Sequence, residues 1–124
     1  MIKGIGIDIV EIKRIRDAVQ KWEDKFLRKI FNDNEISYCY KRKNTFQCLA
    51  ARFAVKEAFI KALSDLEYDG KMPGLIDIVI LNHESGKPYI SVREDLMERY
   101  VINLTLSHER HYAVAMVILE STKK

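Results

Sequence analysis

Residues 45–63 constrain the fold more than any other part of the chain. Their apolar side chains recur at the spacing of an α-helix, which predicts one long helix from about Thr45 to Leu63. Val55 and Phe59 fall on the far side of that helix, so it is apolar nearly all round. A helix of this kind is stable only when other elements cover it, and we expect it to be the buried centre of the fold. Its core stripe consists of Phe46, Leu49, Ala50, Phe53, Ile60 and Leu63.

The chain begins with a predicted strand over residues 2–10, where apolar residues of the β-branched type alternate. Because successive side chains of a strand point to opposite faces, Gly4, Gly6 and Asp8 share one face and the isoleucines between them share the other. The glycines have two explanations. They leave an open surface where a ligand approaches the backbone, or they mark a twist or bulge beneath a neighbouring element.

A second helical period begins at about Ile12 and is predicted to continue to Ile30. Its apolar stripe comprises Ile12, Ile15, Val19, Trp22, Phe26 and Ile30. A row of cations on the opposite face is often only a solvated surface, but it can also receive an acidic helix of another protein. The sequence leaves both interpretations open. We call this set the basic row; its members are Arg14, Lys21, Lys25 and Arg28.

Turn residues and periodicity predict the remaining elements. Asn32 and Glu35 form a capping-box pattern at the start of a short helix that reaches about Tyr40. Two β-hairpins follow, separated by a short helix over residues 93–100. We therefore predict a single α+β domain over residues 1–124, with mostly antiparallel strands packed against the long buried helix. The hairpin strands are residues 75–81 with 89–92 and residues 101–107 with 112–120.

Composition argues against several classes of protein. No run of about 18 apolar residues is present, so no membrane-spanning helix is predicted. The first residues lack a secretory cleavage pattern, which favours the cytoplasm. The net charge of +3 is too small for a protein that coats nucleic acid, and the three histidines are too scattered for a zinc site. In the cytoplasm, Cys39 and Cys48 are expected to be two buried reduced thiols and not a disulfide.

Charged residues interrupt the buried helix, and burying a charge costs several kcal/mol unless it is paired or bound. Glu57 lies on the core stripe, where it serves either as half of an internal salt bridge with Lys61 or as a metal ligand. Asp8 and Glu57 together could hold a hard divalent cation such as Mg²⁺, which keeps positions free for a substrate phosphate. The four interrupting charges are Arg52, Lys56, Glu57 and Lys61.

Positive charges near these carboxylates suit a ligand that carries phosphates. Ser107 and His108 end a strand at the mouth of a hairpin, a common position for ligand contacts. They are not a hydrolase pair, because adjacent residues of a strand point to opposite faces. No phosphate-loop or dinucleotide-binding glycine pattern is present. The cations that could bind phosphates are Arg42, Lys43, Arg52, Lys56 and Lys61.

Four stretches of the chain resemble one known family. "GIGIDIVEIKRI", "RFAVKEAFIKAL" and "LSHERHYAVAMVILE" look like the three signature stretches of holo-acyl-carrier-protein synthases, and "GKPYI" adds a fourth match. These are the small bacterial-type 4′-phosphopantetheinyl transferases. The match covers essentially the full chain with the stretches in the family's order and spacing, so as a set it is highly specific.

The resemblance implies a 4′-phosphopantetheinyl transferase fold and a Mg²⁺-dependent reaction in fatty acid biosynthesis. The phosphopantetheine arm of coenzyme A would move to a serine of apo-acyl carrier protein, releasing 3′,5′-ADP. Nucleic acid and membrane are not expected as partners. The family also forms trimers with active sites between subunits, so a cytoplasmic homotrimer is expected.

Individual positions match the family's functional residues, and the roles given to them here are expectations from the resemblance. Asp8 and Glu57 match the metal-binding carboxylates, and Lys61 matches the lysine that neutralises the pyrophosphate; these three form the expected catalytic set. Arg14 matches a basic residue that docks the acidic carrier protein, and we expect the rest of the basic row to contribute. The expected coenzyme A contacts are Arg52, Lys61, Ser107 and His108 for phosphates and Gly86, Lys87 and Pro88 near the adenine.

Two features leave alternatives open. The family usually has a glycine-containing turn where this chain has Ser64, Asp65 and Leu66, so the ligand contacts of that turn are not carried over. The general base could be Glu57, Asp8 or a water.

Two rival functions are a non-enzymatic module that binds an acidic protein or RNA through the basic row, and another Mg²⁺-dependent enzyme that acts on a nucleotide.

Overall fold

The computed structural model describes residues 1–122 as two antiparallel sheets packed with five helices. The larger sheet has three strands in the order β1–β5–β4, and the smaller one is the β2–β3 hairpin. Every strand pair is antiparallel, which confirms the predicted α+β class. The elements are β1 Ile2–Glu11, α1 Ile12–Trp22, α2 Asp24–Ile30, α3 Asp33–Tyr40, α4 Thr45–Asp65, a 3₁₀ helix Leu75–Asp77, β2 Val79–Asn82, β3 Pro88–Ser91, α5 Glu94–Arg99, β4 Tyr100–His108 and β5 Tyr112–Ser121.

Helix α4 is the buried centre of the fold, as its all-round apolar pattern predicts. It lies against the inner face of the three-stranded sheet, where alternate residues of β5 are fully covered. The contact is close because β1 has glycines beneath the helix. A Cβ atom on Gly6 would lie 1.9 Å from the carbonyl oxygen of Ala58, and one on Gly4 would lie 2.2 Å from that of Ala62. The glycines therefore allow a neighbouring element to approach, and they do not form an open ligand surface.

The predicted helix from Ile12 to Ile30 is two helices, because the backbone breaks at Glu23. Glu23 adopts a positive φ of 47°, a region that non-glycine residues rarely occupy. The break shifts the buried side of the second helix by one residue, so that Leu27 is buried in the core. Trp22, predicted to lie on the core stripe, is instead 52% exposed. No residue pattern around Glu23 marks this break in advance.

The cysteine prediction was wrong in this structure. Cys39 of α3 and Cys48 of α4 form a disulfide, with their Cα atoms 5.4 Å apart. The two helices pack against each other, and the turn between them brings these side chains face to face. A spacing of nine residues gives no indication of such a pairing, since it depends on the angle of that turn.

Lys56 was expected among the phosphate-binding cations, and this expectation was wrong. Its ammonium group is fully buried and lies 2.8 Å from a carboxylate oxygen of Glu35, which is equally buried. Lys56 also donates to the carbonyl oxygens of Ile30 at 2.7 Å and Leu75 at 2.9 Å. Burial lowers the pKa of Lys56, and the Glu35 carboxylate opposes that shift. Lys56 thus connects three segments of the core.

The remaining elements follow the predictions to within two residues at each end, apart from one larger change of boundary. The capping box at Asn32 and Glu35 is present, and α3 ends at Tyr40 as expected. The strand predicted from residue 75 begins only at Val79, because Leu75–Asp77 form a 3₁₀ turn. Within residues 1–122, no helix is long and apolar enough to cross a membrane.

Candidate active site

A carboxylate cluster lies where α4 crosses the free edge of β1. Asp8 shares its strand face with Gly4 and Gly6, so its side chain points toward α4, and it is only 16% exposed. Lys61 of α4 lies 2.9 Å from the Asp8 carboxylate and donates a second hydrogen bond, 3.1 Å long, to the carbonyl oxygen of Ile7. Of the two interpretations of Glu57, the salt bridge with Lys61 is not formed, since Lys61 pairs with Asp8.

Glu57 completes the cluster and has an unfavourable environment for a negative charge. Burial and the negative charge of Asp8 raise the pKa of Glu57, while the charge of Lys61 lowers it. Two neighbouring carboxylates of this kind are suited to a divalent cation, which would relieve their repulsion. Mg²⁺ commonly takes one or two protein carboxylates and completes its coordination with water and substrate phosphate. The chemistry of the pair therefore fits Mg²⁺. In residues 1–122, His, Cys, Asp and Glu side chains form no potential metal cluster of three or more.

A second cluster lies around Arg52, on the side of α4 that faces the small hairpin. Arg52 is 4% exposed, donates to the side-chain oxygen of Asn82 at 2.6 Å, and stacks on the ring of Tyr38 at 4.4 Å. Arg42 stacks on the same ring at 4.4 Å and donates to its hydroxyl group. Burial lowers the pKa of Arg52. Its Nε atom is buried without a hydrogen-bond partner in the described part of the chain, so a donor is available for a ligand.

Arg52 lines a cavity of about 450 Å³ that also contains several of the predicted coenzyme A contacts. His108 at the end of β4 and Gly86 and Pro88 of the hairpin turn contribute to its wall. Asn82 connects the two sides, because its amide also donates to the carbonyl oxygen of Gly86 at 3.0 Å. Gly86 has a φ of 92°, which explains the need for glycine in this turn.

Three predicted contacts lie outside this cavity in a single chain, and one of them, Lys61, belongs to the carboxylate cluster. Lys87 is an exposed turn residue and does not belong to the cavity lining. Ser107 pairs with Val114 and lies on the outer face of β4, whereas His108 pairs with the buried Ala113 on the inner face. The expected alternation of the Ser-His pair is therefore correct.

The two clusters lie toward opposite edges of the three-stranded sheet. Asp8 belongs to edge strand β1, and His108 belongs to edge strand β4. Asp8 and Glu57 line their own cavity of about 340 Å³, which shares no lining residue with the cavity around Arg52. A single chain therefore keeps the carboxylates and the Arg52 site apart.

The basic row is only partly free to meet a partner. Arg14 lines the carboxylate cavity together with Ala18 and Phe26. Arg28 is occupied by Asp33 at 2.7 Å, with Asp24 at 3.9 Å. Arg14, Lys21 and Lys25 form no salt bridge with the described residues. Three of the four predicted cations thus remain available.

The outer face of the large sheet exposes apolar side chains. Ile5, Ile7 and Ile9 of β1 are 47%, 53% and 65% exposed. They pair with the outward-facing residues of β5, which extend the apolar surface across the sheet; these are Ile118, Met116 and Val114. An exposed apolar face beside an edge strand is unusual in a monomer and indicates an interaction surface.

Sequence reasoning missed Tyr38 and Asn82, which hold the Arg52 guanidinium. Neither position has a motif that would mark it. The departure at Ser64 has a simple structural result, because α4 continues to Asp65 and the Asp65 carboxylate accepts a hydrogen bond from the N–H of Ile5 at 3.0 Å. The left-handed conformation at the helix end is adopted by Glu67, with a φ of 58°.

Comparison with known proteins gives consistent results over nearly the full chain. A family model described as the 4′-phosphopantetheinyl transferase superfamily matches residues 4–117. The holo-[acyl-carrier-protein] synthase of Halothermothrix orenii is 44% identical over 128 aligned residues, covering 97% of this chain and 98% of that protein. The synthase of Thermodesulfovibrio yellowstonii is 41% identical, covering 96% of this chain and 99% of that protein.

Solved structures of holo-acyl-carrier-protein synthases share the fold. The Bacillus anthracis protein, in complex with coenzyme A (3′,5′-ADP), is 36% identical with a TM-score of 0.81 and covers 98% of this chain and 99% of its own. The Helicobacter pylori protein, in complex with coenzyme A, is 34% identical with a TM-score of 0.80 and covers 94% of this chain and 99% of its own. The likeness therefore includes the elements that carry both clusters.

Proposed function

The chain belongs to the 4′-phosphopantetheinyl transferase superfamily, and on that premise we propose that it is a Mg²⁺-dependent holo-acyl-carrier-protein synthase. It transfers the 4′-phosphopantetheine arm of coenzyme A to a serine of apo-acyl carrier protein and releases 3′,5′-ADP. The observation that carries this proposal is the Asp8–Glu57–Lys61 cluster, in a chain that matches synthases along almost its entire length. Relatives from two bacteria bind coenzyme A or its 3′,5′-ADP part.

Asp8 and Glu57 would hold Mg²⁺, and the ion would neutralise charge on the pyrophosphate as the phosphorus–oxygen bond between its two phosphates breaks. Lys61 lies beside both carboxylates and is 54% exposed, so its ammonium group can reach a phosphate oxygen. In this role it stabilises the charge of the leaving 3′,5′-ADP. Positioning and charge neutralisation account for most of the catalysis of this class of reaction.

Glu57 is our candidate to accept the proton of the attacking serine. Glu57 lines the carboxylate cavity together with Arg14, on the side from which we expect the carrier protein to approach. Asp8 has a direct ion pair with Lys61, so its lone pairs are less available. The proton therefore passes from the serine hydroxyl to the Glu57 carboxylate as the phosphorus–oxygen bond forms.

The cavity around Arg52 would hold the nucleotide part of coenzyme A. The unpartnered Nε of Arg52 provides a hydrogen-bond donor for a phosphate oxygen. His108 faces the same cavity, and the Gly86–Pro88 turn forms a wall against which an adenine ring can lie. Lys87 and Ser107 remain predicted contacts of coenzyme A. A neighbouring subunit would have to complete the binding site around them.

We further propose a homotrimer in which each active site forms between two subunits. A head-to-tail ring brings the β1 edge of one chain toward the β4 edge of the next, so the two separated clusters would combine. The exposed isoleucines of β1 supply an apolar surface for that contact. The number three comes from the resemblance to the family.

The first prediction concerns the reaction itself. Incubation of apo-acyl carrier protein with this chain, coenzyme A and Mg²⁺ is expected to add one phosphopantetheine group, measured by intact mass spectrometry. EDTA is expected to abolish the gain, because the carboxylate pair then has no cation with which to bind the pyrophosphate. A gain that EDTA leaves unchanged would contradict the metal role. No gain with several carrier proteins would favour the rival binding module.

A further inference from the structure

The disulfide between Cys39 and Cys48 lies in the wall of the cavity proposed for the nucleotide. Cys39 belongs to the last turn of α3 and Cys48 to the first turn of α4, so their bond closes the connection between the two helices. Cys48 lines the cavity itself, together with Arg42, Lys43 and Asn44 of that connection. The redox state of this pair therefore bears on the shape of the cavity.

The bond also fixes the residues that hold Arg52. Tyr38 directly precedes Cys39, and its ring stacks on the guanidinium groups of Arg52 and Arg42, each at 4.4 Å. Arg42 donates to the hydroxyl group of Tyr38 as well. With the disulfide formed, these groups are tied to α4, the helix that carries Arg52. Without it, a ligand would have to order them on binding, which lowers its affinity.

Breaking the bond is expected to loosen the end of α3 without unfolding the domain. The start of that helix is held independently by Glu35, which lies 2.8 Å from the buried Lys56 of α4 and accepts from the N–H of Ile80 at 3.0 Å. Asn32 caps the same end. Reduction would therefore free the last turn of α3 and the connection to α4, and it would leave the rest of the core in place.

The two sulfur atoms differ in their access to solvent. Cys39 is fully buried, whereas Cys48 is half-buried and lines the cavity. A thiolate that enters the cavity therefore attacks Sγ of Cys48, with Cys39 as the leaving group. Disulfides that an external thiol can reach are the labile and regulatory ones, and those of cytosolic proteins are usually catalytic or redox-sensing. Here such a bond forms part of a ligand cavity, which is the arrangement of a switch.

We propose that Cys39 and Cys48 form a redox-sensitive site that sets the affinity for coenzyme A, an inference that rests on the proposed function. The oxidised pair gives the tight-binding form and the reduced pair gives the weak-binding form. A dithiol reductant breaks the bond: its first thiolate joins Sγ of Cys48 and displaces the Cys39 thiolate, which takes up a proton. Its second thiolate then releases Cys48 as a thiol, so the pair gains two electrons and two protons and the reductant becomes a disulfide.

Binding and reduction must then oppose each other to the same extent, because linkage between two equilibria is reciprocal. A nucleotide in the cavity covers Cys48 and favours the oxidised pair, and reduction weakens binding of the nucleotide by the same factor. We expect a factor of about ten, which lies within the usual range for coupled sites.

Protection of the disulfide by a ligand tests this linkage without any turnover. The oxidised chain would be treated with dithiothreitol, and the free thiols would be alkylated and counted by intact mass spectrometry. Saturating 3′,5′-ADP, which has no thiol of its own, is expected to slow the appearance of thiols about tenfold. Adenosine at the same concentration is the control and should give little protection, because it has no phosphate for Arg52.

Calorimetry measures the other half of the linkage. 3′,5′-ADP should bind the reduced chain about tenfold more weakly than the oxidised chain. A chain with both Cys39→Ser and Cys48→Ser should bind like the reduced form, and dithiothreitol should not change its affinity. At saturating coenzyme A, KM for the carrier protein should be the same in both redox states, since neither cysteine lines the carboxylate cavity.

The outcomes separate this inference from the proposed function. Equal affinity for 3′,5′-ADP in both redox states, with no protection of the disulfide, would overturn the switch even if the carrier protein is modified normally. Protection and weaker binding in a chain that modifies no carrier protein would support the switch and overturn the synthase function. A reduced wild type that loses its cooperative thermal unfolding would also overturn the switch, because the bond would then hold the whole fold together.

Discussion

Replacing Asp8 with asparagine is expected to lower kcat/KM for carrier-protein modification by about a hundredfold or more, and Glu57→Gln should have an effect of the same size. Losses of this magnitude are typical when one preorganised electrostatic contact with a transition state is removed. Either change leaves one carboxylate where Mg²⁺ would have two. Asp8→Asn also removes the charge of Asp8 from its ion pair with Lys61. The measurement is initial rate against carrier protein at saturating coenzyme A and Mg²⁺.

Asp65→Asn is the matched control for these variants. Asp65 is also a carboxylate of α4 beside β1, but its partner is the backbone N–H of Ile5. Its rate is expected to stay within a few-fold of wild type, a size that corresponds to less than about 1.4 kcal/mol in barrier height. A Glu57→Gln variant with the full wild-type rate would exclude Glu57 as both metal ligand and base.

The same Glu57 variant should be more stable than wild type when no metal is present. Burial and Asp8 raise the pKa of Glu57 in the folded state above its unfolded value, so folding favours the protonated carboxyl. That stabilisation is complete below the unfolded pKa and is lost as the pH rises through the folded pKa. At pH 7 the ionised Glu57 therefore opposes folding, and glutamine removes the opposition. The melting temperature of Glu57→Gln should exceed that of wild type at pH 7, and the difference should shrink at acid pH.

Replacing Lys56 with methionine is expected to reduce the free energy of unfolding by about 3–5 kcal/mol, the usual cost of removing one partner of a buried ion pair. The change leaves the buried Glu35 carboxylate without its cation, and the carbonyl oxygens of Ile30 and Leu75 lose a donor. Urea denaturation followed by circular dichroism measures the effect. A loss below about 1 kcal/mol would show that the pair behaves like a surface ion pair.

A second substitution distinguishes loss of charge balance from loss of packing. Adding Glu35→Gln to Lys56→Met removes the uncompensated charge but keeps an amide oxygen that can accept from the N–H of Ile80, now bonded to Glu35 at 3.0 Å. The double variant is expected to regain part of the stability lost in Lys56→Met. If it is less stable than the single variant, the buried carboxylate is not the source of the defect.

The sequence predicts those features of the fold that local patterns determine. The all-round apolar helix, the capping box at Asn32 and the two hairpins each follow from residue types and spacing within a short stretch. The glycines of β1 left two explanations open, because only the position of α4 shows that Ala58 and Ala62 lie directly above them. Tertiary packing decided that question.

Pairings between distant residues were the part that local patterns could not supply. Lys56 lies among the other cations of the long helix, which suggested that it binds phosphate. Its partner is instead Glu35 on another helix. Trp22 had the correct period for the core, but a single left-handed residue at Glu23 shifted the register. In the site, Asp8 and Glu57 could be predicted to act together from their chemistry, whereas Tyr38 and Asn82 beside Arg52 have no distinguishing pattern.

Mixing two inactive variants tests most directly whether the separated clusters form one transferase site between chains. Asp8→Ala and His108→Ala chains would be unfolded together and refolded, and carrier-protein modification would be measured by intact mass. In a head-to-tail ring of equal proportions, about one quarter of the sites combine an intact Asp8 with an intact His108, so activity near that fraction of wild type is expected. If the mixture stays at the average of the two separate variants while refolded wild type is active, the shared site between chains is contradicted.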